Sequence, residues 1–376
     1  MNFKLISNIH IFLYIIFCIQ IYKILSEISL RYPYSLYLSN GNIFVIHEKG
    51  ITIYDHLMTN QIEDVITFSE NDEIKTSDLS KLTTVFEDEY LFCIIKDKIY
   101  IFNDKGNILF HNNTSIIWDE MVPKYYSLVV MKIEDNFYQY IILFIFNAIL
   151  YQTQFQFNVT SKENLFIYNK RIYDFDHYLS YEYNYALSCQ YMIDKDKNNL
   201  LVCFSLSYSG LNYVKLIVEK SIIKIAPKFK PEVNEDVKDI KCIKSVANSS
   251  CSKALVSLYS STGELKSFAF NINEEYFYKI NINQYLNNNT CKDSYFALNM
   301  YYNKYNGKFI NSCLDPNGNI LIELYDKNLN IYHYQIINNN KTIIYGYSIL
   351  YSNCTEKFFL FHTKNLLNYY LTIIQN

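Results

Sequence analysis

The run Asp194-Lys195-Asp196-Lys197-Asn198 places oxygen-bearing side chains at every second position of a short polar stretch. That pattern belongs to hard cations such as calcium, which collect six or more oxygen ligands. Asp194, Asp196 and Asn198 supply only three, and the two interleaved lysines oppose a cation, so an ordinary solvated turn is the competing reading. Asp174-Phe175-Asp176-His177 also gathers ligand types, but successive residues of a strand point to opposite faces and cannot all meet one ion. There is no G-x-S-x-G elbow, H-E-x-x-H, C-x-x-C or glycine-rich phosphate loop. The sequence therefore offers no catalytic constellation and calls for no cofactor; that cation loop is its one candidate metal site.

Cysteines carry the second possible chemistry. The nine of them fall to eight if an N-terminal segment containing Cys18 is removed, an even number suited to an oxidising compartment. A hairpin centred on Asp196 puts Cys189 opposite Cys203, at a Cα separation that suits a disulfide. Cys242 with Cys251, and Cys291 with Cys313, are the two further local pairs. Cys93 sits inside an apolar strand and reads as a buried free thiol, Cys354 has no evident partner, and eight reduced core cysteines are the alternative.

The compartment is argued from the N-terminus. Lys4 precedes an apolar run from Ile11 to Ile19, and Ser26 offers a small residue for cleavage. Such a run is too short for the ~20 residues that span a bilayer. Residues 1–26 are expected to be a signal peptide, or a retained anchor, which is the one route by which this chain would meet a membrane. With 34 basic and 37 acidic residues, and a net charge of -3, no field gathers phosphates, and nucleic acid is not an expected partner. Asn112, Asn113, Asn158, Asn248, Asn288, Asn340 and Asn353 each open an N-x-S/T sequon. Asn248 and Asn288, among polar loop residues, are the two expected to be accessible to glycosylation.

The elements that must position these residues repeat. Asn42 to Asp55 reads as strand formers, a polar turn containing Gly50, and more strand formers; Tyr90 to Asn103 gives the same pattern without a gap. Further copies begin at Tyr140, Leu200, Lys253, Lys308 and near Lys357. A period of about 50 residues built only from strands predicts radial blades. The apolar runs Ile43 to Ile46, Leu91 to Ile95 and Phe358 to Phe361 do not alternate, as expected of strands covered on both faces. The fold class is thus all-β: a β-propeller of about seven four-stranded blades over residues 27–376, with an irregular sandwich or two all-β domains as the alternative. The stretch 218–244, with Pro227 and Pro231 between basic and acidic clusters, reads as a loop or linker. Ile28 to Arg31 would complete the last blade, which otherwise ends at the C-terminus without an outer strand.

Three short stretches bear family resemblances. Trp118-Asp119 resembles the WD dipeptide, Asp315-Pro316-Asn317-Gly318-Asn319 a turn of NHL and lactonase propellers, and the Asp194 run the calcium loops of integrin-like propellers. Each occurs once and covers a fraction of one blade, so no family follows. A sialidase-type propeller needs three arginines, and this chain has two, Arg31 and Arg171. Function is expected to be that of a secreted or surface-exposed module whose blade loops bind a protein or a glycan, without catalysis. The alternative is a propeller hydrolase with a central metal ion.

Overall fold

The computed structural model describes residues 34–375 apart from 38–40, 48–49, 56–60, 69–82, 96–97, 113–125, 147–148, 175–186, 208–209, 220–221, 227–239, 248–251, 261–264, 281–297, 304–306, 316, 338–346, 353–356 and 364–368. These residues form seven antiparallel sheets. The first holds β1 (Tyr34–Tyr37), β2 (Ile43–His47), β3 (Gly50–Tyr54) and β4 (Gln61–Thr67); the second holds β5 (Thr83–Glu87), β6 (Tyr90–Ile95), β7 (Lys98–Asn103) and β8 (Ile108–Asn112). The third has β9 (Ser127–Glu134), β10 (Phe137–Phe146), β11 (Ile149–Asn158) and β12 (Glu163–Asp174); the fourth has β13 (Leu187–Ile193), β14 (Asn199–Ser207), β15 (Gly210–Glu219) and β16 (Ile222–Ala226). The fifth comprises β17 (Ile240–Ala247), β18 (Lys253–Ser260), β19 (Leu265–Asn271) and β20 (Tyr276–Ile280); the sixth comprises β21 (Leu298–Asn303), β22 (Lys308–Leu314), β23 (Ile320–Tyr325) and β24 (Ile331–Ile337). The seventh is β25 (Tyr347–Ser352), β26 (Lys357–Thr363) and β27 (Tyr369–Gln375).

In every sheet the strands lie in sequence order. The first strand of each sheet touches the first strand of the next from β5 round to β25, and β25 touches β1, so these first strands line the axis; the first and second sheets complete the circuit through a shared core. Hydroxyl and amide side chains stitch neighbouring inner strands together. The backbone N–H of Cys189 donates to Ser127 Oγ at 2.8 Å, the hydroxyls of Ser188 and Ser245 meet at 2.7 Å, and Gln190 Nε2 donates to the Ser245 carbonyl at 2.9 Å.

The unbroken apolar runs follow from this geometry. Alternate residues of a middle strand face opposite neighbours, and both directions are interior. Phe44 and Ile46 of the first sheet pack with Leu91, Cys93 and Ile95 of the second, while Phe92 and Ile94, one position out of phase, pack with Tyr138, Tyr140 and Phe144 of the third. The third and fourth sheets share Ile141, Leu143, Leu201 and Cys203, and the fourth and fifth share Phe204, Tyr213, Phe268 and Phe270. Each such side chain stabilises the fold by roughly 1.5–3 kcal/mol. The outermost strands β8 and β24 revert to mixed exposure.

The expected copies begin at or within three residues of the second strand of each sheet: β2, β6, β10, β14, β18, β22 and β26. One expectation is corrected. The stretch 218–244 is not a continuous linker, because Val218 and Glu219 end β15, Ile222–Ala226 forms β16, and β17 begins at Ile240. The β-branched residues Ile222, Ile223 and Ile225 pair with β15 despite their lysine neighbours. Ile28 to Arg31 and residues 1–26 lie outside the described residues.

Candidate functional site

One turn design recurs at the ends of the sheets. Asn103–Asn107, Asp194–Asn198, Asp315–Asn319 and Asp326–Asn330 each begin with Asp or Asn and end with Asn four residues on. In each, the first residue's backbone N–H donates to the carbonyl of the last, and its own carbonyl accepts from the fourth N–H. The first residue's Oδ1 also accepts the backbone N–H of the last, at 2.7–2.9 Å. The fourth residue has positive φ in all four: Gly106 (84°), Lys197 (62°), Gly318 (84°) and Leu329 (67°). This is a side-chain-capped hairpin turn, with the left-handed position that glycine fills most easily.

The candidate cation loop is one of these turns. Asp194 Oδ1 accepts from the N–H groups of Asp196 and Asn198, and Oδ2 accepts from Asn198 Nδ2 at 2.9 Å. Burial alone would raise its pKa, but these donors outweigh that and hold the carboxyl below its ordinary range. Its oxygens are committed to the turn, and among the described residues no cluster of three or more His, Cys, Asp or Glu forms a metal site. The Asp315 run, singled out for a family resemblance, is the same turn.

The cysteine register is as the spacing requires. Cys189 pairs with Cys203 across β13 and β14, and the two form a disulfide. Cys93 is a buried free thiol, and burial pushes its pKa well up. Cys313 is disulfide-bonded; Cys291, the partner expected for it, lies outside the described residues, as do Cys251, Asn248, Asn288 and the Asp176-His177 pair. Cys242 lies in β17, opposite Tyr259.

The feature that sequence reasoning missed is a groove of about 610 Å³ between the outer strands of the fifth and sixth sheets. Its polar wall is Lys253, Glu274, Tyr278, Lys279, Asn328 and Asn330. The hairpin between β19 and β20 and the capped turn between β23 and β24 form its rim. Tyr276 and Tyr278 are about half exposed and meet edge to face at 4.9 Å. The Tyr278 hydroxyl donates to Glu274 Oε2, which fixes an aromatic ring beside a carboxylate at the mouth. Ala269, Ile280, Leu329 and Ile331 form the floor and pack around buried Tyr325.

Beneath that floor lies a buried polar cluster. Glu323 is fully buried; its Oε2 accepts from the Tyr325 hydroxyl at 2.7 Å and from Asn311 Nδ2 at 2.8 Å. Asn311 Nδ2 also reaches Ser267 Oγ of the fifth sheet at 3.2 Å, and Ser267 pairs with Ser257 at 3.0 Å. Glu323 Oε1 has no partner among the described residues. Burial raises the pKa of this carboxyl against the lowering effect of its two donors. Tyr334, opposite it in β24, is pushed up to about 12 by burial and by the charge of Glu323.

No protein-family model matches the sequence, and no curated protein matches it. Solved structures do match. The chain is similar to the BP39L lectin of Burkholderia pseudomallei, with 8% identity over 92% of this chain and 96% of that one, at a TM-score of 0.55. It is also similar to the Aleuria aurantia lectin, a six-bladed β-propeller (8% identity, 83% and 96% coverage, TM-score 0.44). A third match is the fission yeast SREBP-SCAP binding domains (10% identity, 92% and 90% coverage, TM-score 0.45). The sheet order, the succession of inner-strand contacts from β5 through β25 to β1 and the likeness to the bacterial lectin show a β-propeller, here with seven sheets.

Proposed function

We propose that this propeller is a non-catalytic binding module of the secretory pathway or cell surface, and that the groove between its fifth and sixth sheets takes a sugar ring. The groove carries this reading. Sugars present apolar C–H faces and a rim of hydroxyls, and they are held by an aromatic ring with a few convergent polar groups. Tyr278 offers the ring, Glu274 accepts hydroxyl protons, and Lys253 and Lys279 donate. All four line one cavity of monosaccharide to disaccharide size. A solved lectin of the same fold agrees with the reading. The disulfide and the apolar N-terminal run support an oxidising destination.

The test uses the full chain expressed through a secretory pathway and probed on a glycan array, with titration calorimetry of the best ligand. Tyr278→Ala and Glu274→Gln are expected to weaken binding at least tenfold while the thermal midpoint holds. Equal affinity in both variants, or an array without a signal, overturns the groove as a glycan site. A protein ligand captured at the opposite face would favour the loop-binding reading instead.

A further inference from the structure

Asn158 ends β11 and faces Glu163 of β12. It opens the sequon Asn158-Val159-Thr160, and it is itself half-buried, next to an exposed turn. Asn158 Oδ1 accepts the backbone N–H of Thr160 at 2.9 Å and of Ser161 at 3.2 Å, so the carboxamide is held by its oxygen and Nδ2 takes no part in either bond. Val159 N–H is anchored on the Asn136 carbonyl at 2.9 Å, and Ser161 Oγ bonds Glu163 Oε2 at 3.1 Å. Thr160 and Ser161 are exposed. The sequon therefore sits on a hydrogen-bonded hairpin at the rim of the third sheet, with its Thr160 end exposed.

The strand beside it has an unusual surface. β12 is the outer edge of its sheet, and Leu165 and Phe166 are 59% and 57% exposed, above every other large apolar side chain among the described residues. Leu165 faces Gln156 just as Glu163 faces Asn158, so the period of two puts Leu165 on the same side of the sheet as Asn158 and Phe166 on the other, where it meets Phe155. An open, apolar edge strand is a template for pairing with another chain unless something covers it.

We propose that Asn158 is N-glycosylated and that the attached sugar shields Leu165, on the same face of the third sheet's outer edge. The inference rests on the secretory reading above. In the transfer, Asn158 Nδ2 attacks the anomeric carbon of an oligosaccharide carried on a polyprenyl diphosphate, and the N–C bond forms as the C–O bond to the diphosphate breaks. The diphosphate keeps the electron pair, and one amide proton passes to the transferase that brings the two substrates together.

The full chain is translated with microsomes, and protease protection scores translocation separately from glycosylation. A protected chain whose Asn158 peptide carries a glycan-sized mass, released by an endoglycosidase and absent in Thr160→Ala and Asn158→Gln, is the expected result. Thr160→Ala keeps the turn, because only the Thr160 backbone N–H is used there, so a folding failure in Asn158→Gln cannot mask the answer. Protected but unmodified Asn158 overturns the inference and leaves the export reading standing. An unprotected chain overturns both. Shielding is read by light scattering: Thr160→Ala should self-associate where the glycosylated chain stays monomeric, and adding Leu165→Lys should restore the monomer. A monomeric Thr160→Ala chain overturns the shielding role.

Discussion

Cys189 lies directly opposite Cys203, with their Cα atoms 4.0 Å apart, and the bond between them joins the inner strand of the fourth sheet to its neighbour. Both cysteines are buried between the third and fourth sheets. The Cys189 backbone N–H also donates to Ser127 of the preceding inner strand, so the bond clamps a strand that two sheets use. A loop of this length gives a cross-link worth about 3 kcal/mol through the unfolded chain. Cys189→Ala with Cys203→Ala should lower stability by about 2–4 kcal/mol without changing the strand register. Denaturant unfolding with and without reductant checks both points: reductant should destabilise the wild type, and the double variant's loss should appear even without reductant.

The recurring turn makes a prediction of opposite signs at equivalent positions. Gly106 and Lys197 both occupy the fourth, left-handed position. A Cβ on Gly106 would also stand 1.9 Å from Ile53 Cδ1, a side chain buried under the adjacent sheet. Gly106→Ala should therefore destabilise by about 1–3 kcal/mol, while Lys197→Gly, which removes a side chain from a strained conformation, should stabilise by up to about 1 kcal/mol. Thermal midpoints of the two variants decide it, and equal signs would refute the equivalence of the turns.

Glu323 should give the protein a component of stability that declines with pH. Its folded pKa lies above the ordinary glutamate value of 4.5, because burial opposes ionisation. The unfolded chain releases this proton first, so the contribution is full below about pH 4.5 and falls as pH rises toward the folded pKa, the reverse of a salt-bridged carboxylate. Glu323→Gln keeps an acceptor for Tyr325 and Asn311 and cannot ionise. The variant's stability relative to wild type should therefore increase between pH 4 and pH 8. A difference that stays flat across that range would show that Glu323 keeps its ordinary pKa.

Sequence reasoning reached the sheets because the signal is local. Tyr90, Lys253 and Lys308 each begin a second strand, since the hairpin that follows is closed by neighbours in the chain. The disulfide register was legible for the same reason, being fixed by the symmetry of one hairpin about Asp196. The groove was not legible. Tyr278 and Asn330 belong to different sheets, and each reads alone as an exposed residue of an outer strand or turn; their convergence depends on the rotation between blades. The Glu323 cluster was hidden too, because a carboxylate in an apolar strand announces burial only when its donors Asn311 and Tyr325 are known to meet it. The capped turn was half seen: the Asp194 and Asp315 runs were singled out, but for a cation and for a family, when their shared feature is an Asp whose side chain closes its own hairpin.

The in-order sheets bear on how the chain reaches its native state. Every strand pairing among the described residues joins strands adjacent in sequence, so each hairpin closes a short loop and can form early at small entropic cost. The contact of β1 with β25 joins the first sheet to the last across the longest sequence separation and is the slowest to be reached by diffusion. Assembly should thus proceed by local hairpins followed by a late docking of first sheet on last. Mutations at the buried Ile349 of β25 should accelerate unfolding and leave the folding rate nearly unchanged, whereas mutations within a hairpin such as β10–β11 should slow folding itself.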